Sequence, residues 1–166
     1  MDAQTLRDMQ APLKAQYREA PDKAVITLRA EGQMGENVSC SVDTGRALVE
    51  AGLHPATGGS GLQVCSGDML LQALVACAGV TLNAVATALA LPVRGATVRA
   101  EGDLDFRGTL GVDKSVPVGF QAIRLSFDLD GDLSPEQKAQ LQKLTERYCV
   151  VYQSLRSAPQ FEVRMT

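Results

Sequence analysis

The sequence predicts an α+β domain in which antiparallel strands pack around one long central helix. Segments of alternating apolar and polar residues lie on both sides of residues 69–91, the most apolar stretch of the chain. Such alternation is typical of antiparallel strands with one buried face. An amphipathic helix and a last alternating segment follow. The order of strands, long helix, strands, helix and strand indicates an α+β domain built on hairpins.

A single domain with an N-terminal arm is expected, because 166 residues can bury a core of useful size. We expect residues 1–22 to form a helical arm and residues 23–166 to form the domain. Leu6, Met9, Leu13 and Tyr17 recur at helical spacing in the arm. Pro12 lies among them, so the arm is either a kinked helix or two short turns.

The first hairpin is expected from two alternating segments, residues 24–31 and 38–43, joined by a turn from Gly32 to Gly35. Residues 44–65 are predicted to be irregular and glycine-rich. A long loop of this kind in a compact domain is typical of a functional or mobile segment.

The central helix is predicted to begin with Ser66 as its N-cap and to end near Leu89, before Pro92. It would be about 35 Å long. Its composition is apolar on nearly all sides, which indicates that both faces are covered. Asp68 lies in the first turn, where unpaired backbone N–H groups favour a carboxylate.

The rest of the chain predicts two further strands, residues 97–106 and 123–130, then a helix and a last strand at residues 161–165. The helix opens with Ser134-Pro135-Glu136-Gln137, a capping box with proline at the first helical position. Its apolar face would contain Leu141, Leu144 and Tyr148.

Composition excludes several classes of partner. The chain has 16 basic and 19 acidic residues and a net charge of −3, with no basic patch for nucleic acid or an anionic membrane. Residues 69–91 are long enough to span a membrane, but polar residues interrupt them, so a buried helix is favoured. The N-terminus does not resemble a signal peptide, and we expect a cytoplasmic protein whose four cysteines stay reduced. No Cys-x-x-Cys motif occurs and His54 is the single histidine, so no metal site is expected.

Cys77 and Cys149 are the leading candidates for chemistry. Cys77 lies within the apolar helix, and Cys149 ends the amphipathic helix 72 residues later. One interpretation is two packed thiols, since free cysteine is often buried. The other is a peroxidatic and a resolving thiol, in which a sulfenic acid on one sulfur is captured by the other as a disulfide. Spacing alone leaves both open.

The remaining candidates have structural interpretations. Cys40 would fill the core from a strand, Cys65 would lie in the loop before the central helix, and His54 would be a surface or capping residue. Residues 58–61 are glycine-rich but lack the Lys-Ser/Thr of a phosphate-binding loop. Residues 128–132 have the wrong register for a calcium loop.

Two motifs resemble those of the OsmC/Ohr family. Ser66-Gly67-Asp68-Met69-Leu70-Leu71, followed by Ala76-Cys77, resembles the family's Ser/Asn-Pro-x-Glu-Leu-Leu…Ala-Cys segment. Glu146-Arg147-Tyr148-Cys149 falls where the family has its second cysteine, at the start of a short helix. The predicted element order over residues 24–165 agrees as well. The sequence is therefore similar to this family over nearly all of its length outside the arm.

The resemblance implies an intertwined homodimer with active sites at its interface and thiol-dependent reduction of organic or inorganic hydroperoxides. Cys77 would be the peroxidatic thiol and Cys149 the resolving thiol. Electrons would come from a dithiol, on a lipoylated protein or a small thiol, without a bound cofactor. The family also places an arginine, held by a glutamate at the helix start, near the reactive thiolate. Here Asp68 occupies the glutamate position, and Arg29 and Arg46 are the candidates for the arginine.

Helix geometry limits the role of Asp68. Nine residues at 100° each place Asp68 and Cys77 on opposite faces of one helix, so Asp68 would act through an intermediary or across a dimer. The aspartate is one methylene shorter than the family's glutamate, and the arginine has no clear position in the sequence, so a protein that keeps the fold for binding is an alternative to an enzyme. A redox sensor that switches through a Cys77–Cys149 disulfide is a third possibility.

Overall fold

The computed structural model describes residues 3–35, 39–42, 51–62 and 64–165. It confirms the predicted fold class: an antiparallel sheet combined with a long central helix. The helices are α1 Ala3–Glu19, α2 Ser66–Ala88, α3 Phe106–Thr109, α4 Pro135–Tyr148 and α5 Val150–Arg156. The strands are β1 Val25–Gly35, β2 Ser39–Val42, β3 Ala51–Gly52, β4 Val64–Cys65, β5 Val93–Asp105 and β6 Ala122–Gly131.

The main sheet has four strands in the order β2-β1-β5-β6. β1 and β2 pair antiparallel, and the register extends from Gly32 opposite Val42 to Gly35 opposite Ser39. The expected turn at Gly32–Gly35 is therefore wrong, because these residues are part of the ladder. Val38 and Asp43, the ends of the expected second strand, lie outside the described residues.

Two further differences from the prediction concern the segment before α2 and the segment after α5. β3 and β4 form a short parallel pair within the segment expected to be irregular, and Gly52 lies opposite Cys65. The expected last strand is wrong: residues 158–165 form no regular secondary structure and pair with no strand in the described chain. Phe161, Val163 and Met165 are 82%, 85% and 98% exposed. Alternation gave this segment a strand pattern, but a strand also needs a hydrogen-bonded neighbour.

The described residues fall into two compact units. The first contains the described parts of residues 1–31, 43–72 and 99–126. Its core is formed by Tyr17 of α1, Ala24, Phe106 and Leu110, with Leu13, Ile26 and Leu104 packed against them. The Tyr17 hydroxyl donates a 2.6 Å hydrogen bond to the Ala56 carbonyl. α1 is one helix with Pro12 inside it, and Tyr17 anchors its C-terminal end in this core.

The second unit contains the described parts of residues 32–42, 73–98 and 127–166. Leu82 and Ala86 of α2 pack with three other buried residues. These are Ala96 of β5, Leu133, which precedes α4, and Leu141 of α4. Phe127 and Leu129 of β6, which alternate with exposed neighbours as predicted, cover the same cluster. This core fixes the C-terminal part of α2 against α4.

α4 begins with the capping box that the sequence predicts. The Ser134 side chain accepts a hydrogen bond from the Gln137 N–H, and the Gln137 side chain accepts one from the Ser134 N–H. Leu141 is 1% exposed, but Tyr148, expected on the same apolar face, is 57% exposed. α5, which the sequence analysis did not predict, follows α4 after the single residue Cys149.

α2 is the helix in the described part of the chain that is long and apolar enough to cross a membrane, by length and composition alone. A core helix passes the same test. Leu71, Leu74, Val75, Ala78 and Leu82 of α2 are at most 1% exposed, which is typical of such a core helix.

Candidate functional site

Cys77 is held in the middle of α2, within the second unit. Its side chain is half-buried and its thiol is free. The next turn of the helix places Thr81 on the same face, because residues four apart are neighbours on a helix surface.

Cys149 forms the junction of two helices. Its N–H donates to the Thr145 carbonyl at 2.9 Å and so ends α4, while its carbonyl accepts from the Gln153 N–H at 2.9 Å and so begins α5. Its sulfur is the N-cap of α5 and accepts a 3.5 Å hydrogen bond from the Tyr152 N–H. The Gln153 side chain donates to the Glu146 carbonyl at 2.7 Å and ties α5 to α4. The Cys149 side chain is fully buried.

The structure brings Cys77 and Cys149 together. Both are free thiols, and their side chains are hydrogen-bonded to each other. Burial by itself raises the pKa of Cys77, but hydrogen-bond donors outweigh it and leave this pKa below the ordinary value of a thiol. These donors are, in order of effect, the Val151 N–H, the Cys149 thiol, the Val150 N–H and the Thr81 hydroxyl.

The two thiols differ in their protonation. Burial first, and then the neighbouring Cys77, raise the pKa of Cys149 to about 11 against the lowering effect of the Tyr152 and Val151 N–H groups. At neutral pH the Cys149 thiol therefore remains protonated, and it donates a hydrogen bond to the Cys77 sulfur, whose pKa is lowered. A thiolate is the nucleophilic form of cysteine. The pair thus consists of one sulfur whose thiolate form is favoured by hydrogen bonds and, next to it, one buried sulfur whose neutral form is favoured.

Thr81, Val150 and Val151 are parts of this site that the sequence analysis did not assign. The helical spacing of Thr81 from Cys77 was a usable signal. Val150 and Val151 act through backbone N–H groups, which every residue except proline has. No feature of their side chains could have identified them.

Asp68 lies in the first turn of α2, within the first unit. Burial raises its pKa, and the charge of His54 opposes that shift. The groups that set the pKa of Cys77 all belong to the second unit. The participation of Asp68 in thiol chemistry stays a prediction.

The predicted arginine is not located by the structure. Arg29 lies in β1, but its side chain is outside the described residues, and so is the whole of Arg46. In the described part of the chain, no guanidinium is among the groups that lower the pKa of Cys77. Hydrogen bonds from two backbone N–H groups, the Cys149 thiol and the Thr81 hydroxyl have this effect instead.

The other candidates have structural surroundings. The His54 side chain caps a 3₁₀ turn, Pro55–Thr57: its Nδ1 accepts a 3.0 Å hydrogen bond from the Ala56 N–H, and its ring stacks on Phe106 at 5.1 Å. Cys65 is a half-buried free thiol in β4, not in a loop. The side chain of Cys40 is outside the described residues. Over the described residues, no cluster of His, Cys, Asp and Glu could hold a metal ion.

The sequence matches the OsmC family model, described as OsmC-like protein, over residues 59–164. This segment contains both cysteines and covers well over half of the chain. The chain therefore belongs to the OsmC family, as its motifs predicted. Among curated proteins, none matches the sequence significantly.

Two solved structures are similar in fold. One is an OsmC-like hydroperoxide resistance protein from Jannaschia sp. CCS1, with a TM-score of 0.62 and 15% identity, over 86% of this chain and 94% of that one. The other is an OsmC-like protein from Mycoplasma pneumoniae, with a TM-score of 0.56 and 14% identity, over 81% of this chain and 86% of that one. At these identities the similarity establishes the fold.

Proposed function

We propose that this protein is a cytoplasmic thiol-dependent peroxidase that reduces organic or inorganic hydroperoxides through Cys77 and Cys149. One observation carries the proposal: two thiols that are 72 residues apart are hydrogen-bonded to each other, one with a lowered pKa and the other with a raised pKa. Membership of the OsmC family supports it, and so does the fold shared with a hydroperoxide resistance protein.

In the first step the Cys77 thiolate attacks the terminal oxygen of the hydroperoxide. A sulfur–oxygen bond forms and the oxygen–oxygen bond breaks, so the sulfur is oxidised to a sulfenic acid by two electrons. The departing alkoxide takes a proton from water and leaves as the alcohol. The Val150 and Val151 N–H groups and the Thr81 hydroxyl hold the thiolate in place for this attack.

In the second step Cys149 resolves the sulfenic acid. Cys149 loses its proton, and its thiolate attacks the Cys77 sulfur; a disulfide forms and the hydroxide leaves as water with that proton. Burial is the main cause of the raised pKa of Cys149, and the charge on Cys77 adds to it. Oxidation of Cys77 removes that charge. The resolving thiol therefore becomes easier to ionise after the peroxide has reacted.

A dithiol reductant completes the cycle. It attacks the disulfide, passes through a mixed disulfide and leaves as its own cyclic disulfide, which returns both protein thiols. We assign this role to a lipoylated protein or a small dithiol. Among the described residues, the exposed part of Cys77 is where such a reductant or a hydroperoxide reaches the pair.

A homodimer is part of the proposal. Apolar side chains of the second unit are exposed in the single chain, among them Val80 of α2 at 38%, Val150 at 70% and the segment from Phe161 to Met165. Burial of these side chains against a second copy would remove apolar surface from water. Val150 is adjacent to Cys149, so such an interface would lie beside the thiol pair.

The test is consumption of tert-butyl hydroperoxide with dihydrolipoamide as the reductant. We expect turnover by the unaltered protein, none by Cys77→Ser, and a single oxidation without efficient recycling by Cys149→Ser. Cys65→Ser is the matched control and should keep full activity, because Cys65 is not among the groups that set the pKa of either thiol. Unchanged activity of Cys77→Ser would refute the assignment.

The alternative function is binding or redox sensing without fast peroxide chemistry. The observation that favours it is the absence of a guanidinium among the described groups that stabilise the Cys77 thiolate. The rate at which a hydroperoxide oxidises Cys77 to the sulfenic acid decides between the peroxidase and this alternative. A sulfenic acid that forms no faster than on a free cysteine at the same pH would favour the binder or sensor.

A further inference from the structure

Thr145 carries a buried hydroxyl without a partner. Its side chain is 1% exposed, and among the described residues its Oγ1 atom has no hydrogen-bond partner. Threonine in a helix often donates to the carbonyl one turn earlier, and Thr145 does not. A buried hydroxyl without a partner costs about 1–3 kcal/mol, and few buried polar groups in native proteins remain in that state.

Thr145 lies one helical turn before Cys149. Because the Cys149 N–H donates to the Thr145 carbonyl at 2.9 Å, Cys149 keeps the helical register of α4. Residues four apart in this register have Cβ atoms about 5–6 Å from each other. Both side chains are at most 1% exposed. The unpaired hydroxyl is therefore buried beside the resolving thiol.

The resolving thiol needs hydrogen-bond donors when it reacts. As a protonated thiol, Cys149 is an adequate neighbour for Cys77 without further help. As a thiolate it is a buried charge, and a buried charge needs hydrogen bonds to be tolerable. The Tyr152 and Val151 N–H groups are the donors already directed at this sulfur.

We propose that Thr145 is a catalytic residue of the resolving step: its hydroxyl donates a hydrogen bond to the Cys149 thiolate while that sulfur attacks oxidised Cys77. The inference rests on the proposed function for its place in the cycle. A helical threonine has two accessible side-chain rotamers, so rotation of Thr145 is sufficient to direct the hydroxyl at the sulfur. The hydroxyl remains unpaired in the reduced protein and becomes paired during the reaction.

The experiment compares the unaltered residue with Thr145→Val, which has the same shape without the hydroxyl, and with Thr145→Ser, which keeps the hydroxyl. Cys40 and Cys65 are replaced by serine in all three proteins, so that the Cys77–Cys149 pair alone reacts. The first arm measures sulfenic acid formation and its conversion to the disulfide after tert-butyl hydroperoxide. Peptide mapping of the same Thr145 variants with Cys40 and Cys65 retained checks the disulfide in the otherwise unaltered chain.

A second arm uses 5,5′-dithiobis(2-nitrobenzoate), which forms a mixed disulfide with Cys77 and releases one thionitrobenzoate. Attack by the Cys149 thiolate then forms the Cys77–Cys149 disulfide and releases the second thionitrobenzoate. This ring closure needs the same thiolate as the resolving step but no peroxide. If hydroperoxide fails to oxidise Cys77, the proposed function fails, and ring closure still tests Thr145.

We expect Thr145→Val to form the first adduct at the normal rate and to close the disulfide about 10- to 100-fold more slowly, the loss of one hydrogen bond to a charged group. Thr145→Ser should close at a rate near that of the unaltered protein. The melting temperature of reduced Thr145→Val should equal or exceed that of the unaltered protein. Ring closure at the normal rate, or a clear fall in that melting temperature, would overturn the inference.

Discussion

Replacing Cys149 tests whether its thiol stabilises the Cys77 thiolate. Cys149→Ala removes one of the four donors around Cys77, and Cys149→Ser keeps a donor of similar size. We expect the pKa of Cys77 to rise in the alanine variant and to change little in the serine variant. The serine hydroxyl also keeps an acceptor for the Tyr152 N–H, so α5 remains capped.

The magnitude follows from the strength of one charged hydrogen bond. Such a bond contributes about 1.5–3 kcal/mol, and one pKa unit corresponds to about 1.4 kcal/mol. Cys77 is half-buried, so water replaces part of the lost interaction. The lower end of this energy range therefore applies, and we expect the pKa of Cys77 to rise by about one unit. The rise would be larger if the first turn of α5 unfolds without its N-cap, because its N–H groups would then no longer reach Cys77.

The assay is the pH dependence of alkylation by iodoacetamide, quantified on the peptide that contains Cys77. Reading this peptide keeps the other thiols out of the measurement. A midpoint in Cys149→Ala equal to or below that of the unaltered protein would refute the reasoning. So would an equal rise in both variants, because the donor would then be irrelevant.

Three further predictions concern stability, measured as the free energy of unfolding in urea under reducing conditions. The folded-state pKa of Cys149 is raised to about 11. Its contribution to the free energy of unfolding is therefore complete below the ordinary thiol pKa and is lost as the pH rises from about 9 to about 11. A difference in the free energy of unfolding between the unaltered protein and Cys149→Ser that does not change with pH would contradict this. Leu141→Ala should cost about 2–5 kcal/mol, whereas Leu155→Ala, at a 37% exposed position, should cost under about 1 kcal/mol. A hydrogen bond from Arg107 lowers the pKa of buried Asp105, so this pair stabilises the fold above about pH 4 and the stabilisation is lost as the pH falls through the folded-state pKa of Asp105. Asp105→Asn should therefore reduce the fall in the free energy of unfolding at acid pH. An unchanged fall would refute the pairing.

Much of the fold could be predicted because its elements have local signals. Strict alternation identified β6, and the sequence Ser134-Pro135-Glu136-Gln137 identified the start of α4. α5 was missed for two reasons. Its first residues, Val150, Val151 and Tyr152, have low helix propensity, and its N-cap is a thiol, whereas N-caps are usually Ser, Thr, Asp or Asn.

The sequence was sufficient to predict which cysteines form the site, but not how the groups around them are arranged. The two cysteines could be named from their positions, and the family resemblance assigned them roles. Which sulfur has the lower pKa depends on the tertiary structure, because α5 directs its first N–H groups at Cys77 while Cys149 is fully buried. Thr145 had no signal at all, since an unpaired hydroxyl can be recognised only from three-dimensional contacts.

The most direct test of the account is a map of the disulfides formed after one equivalent of hydroperoxide is added to the reduced protein. The account predicts a single bond, between Cys77 and Cys149 of the same chain, with Cys65 still open to alkylation. Oxidation that leaves Cys149 alkylatable, or that joins Cys77 to a different cysteine, would contradict it.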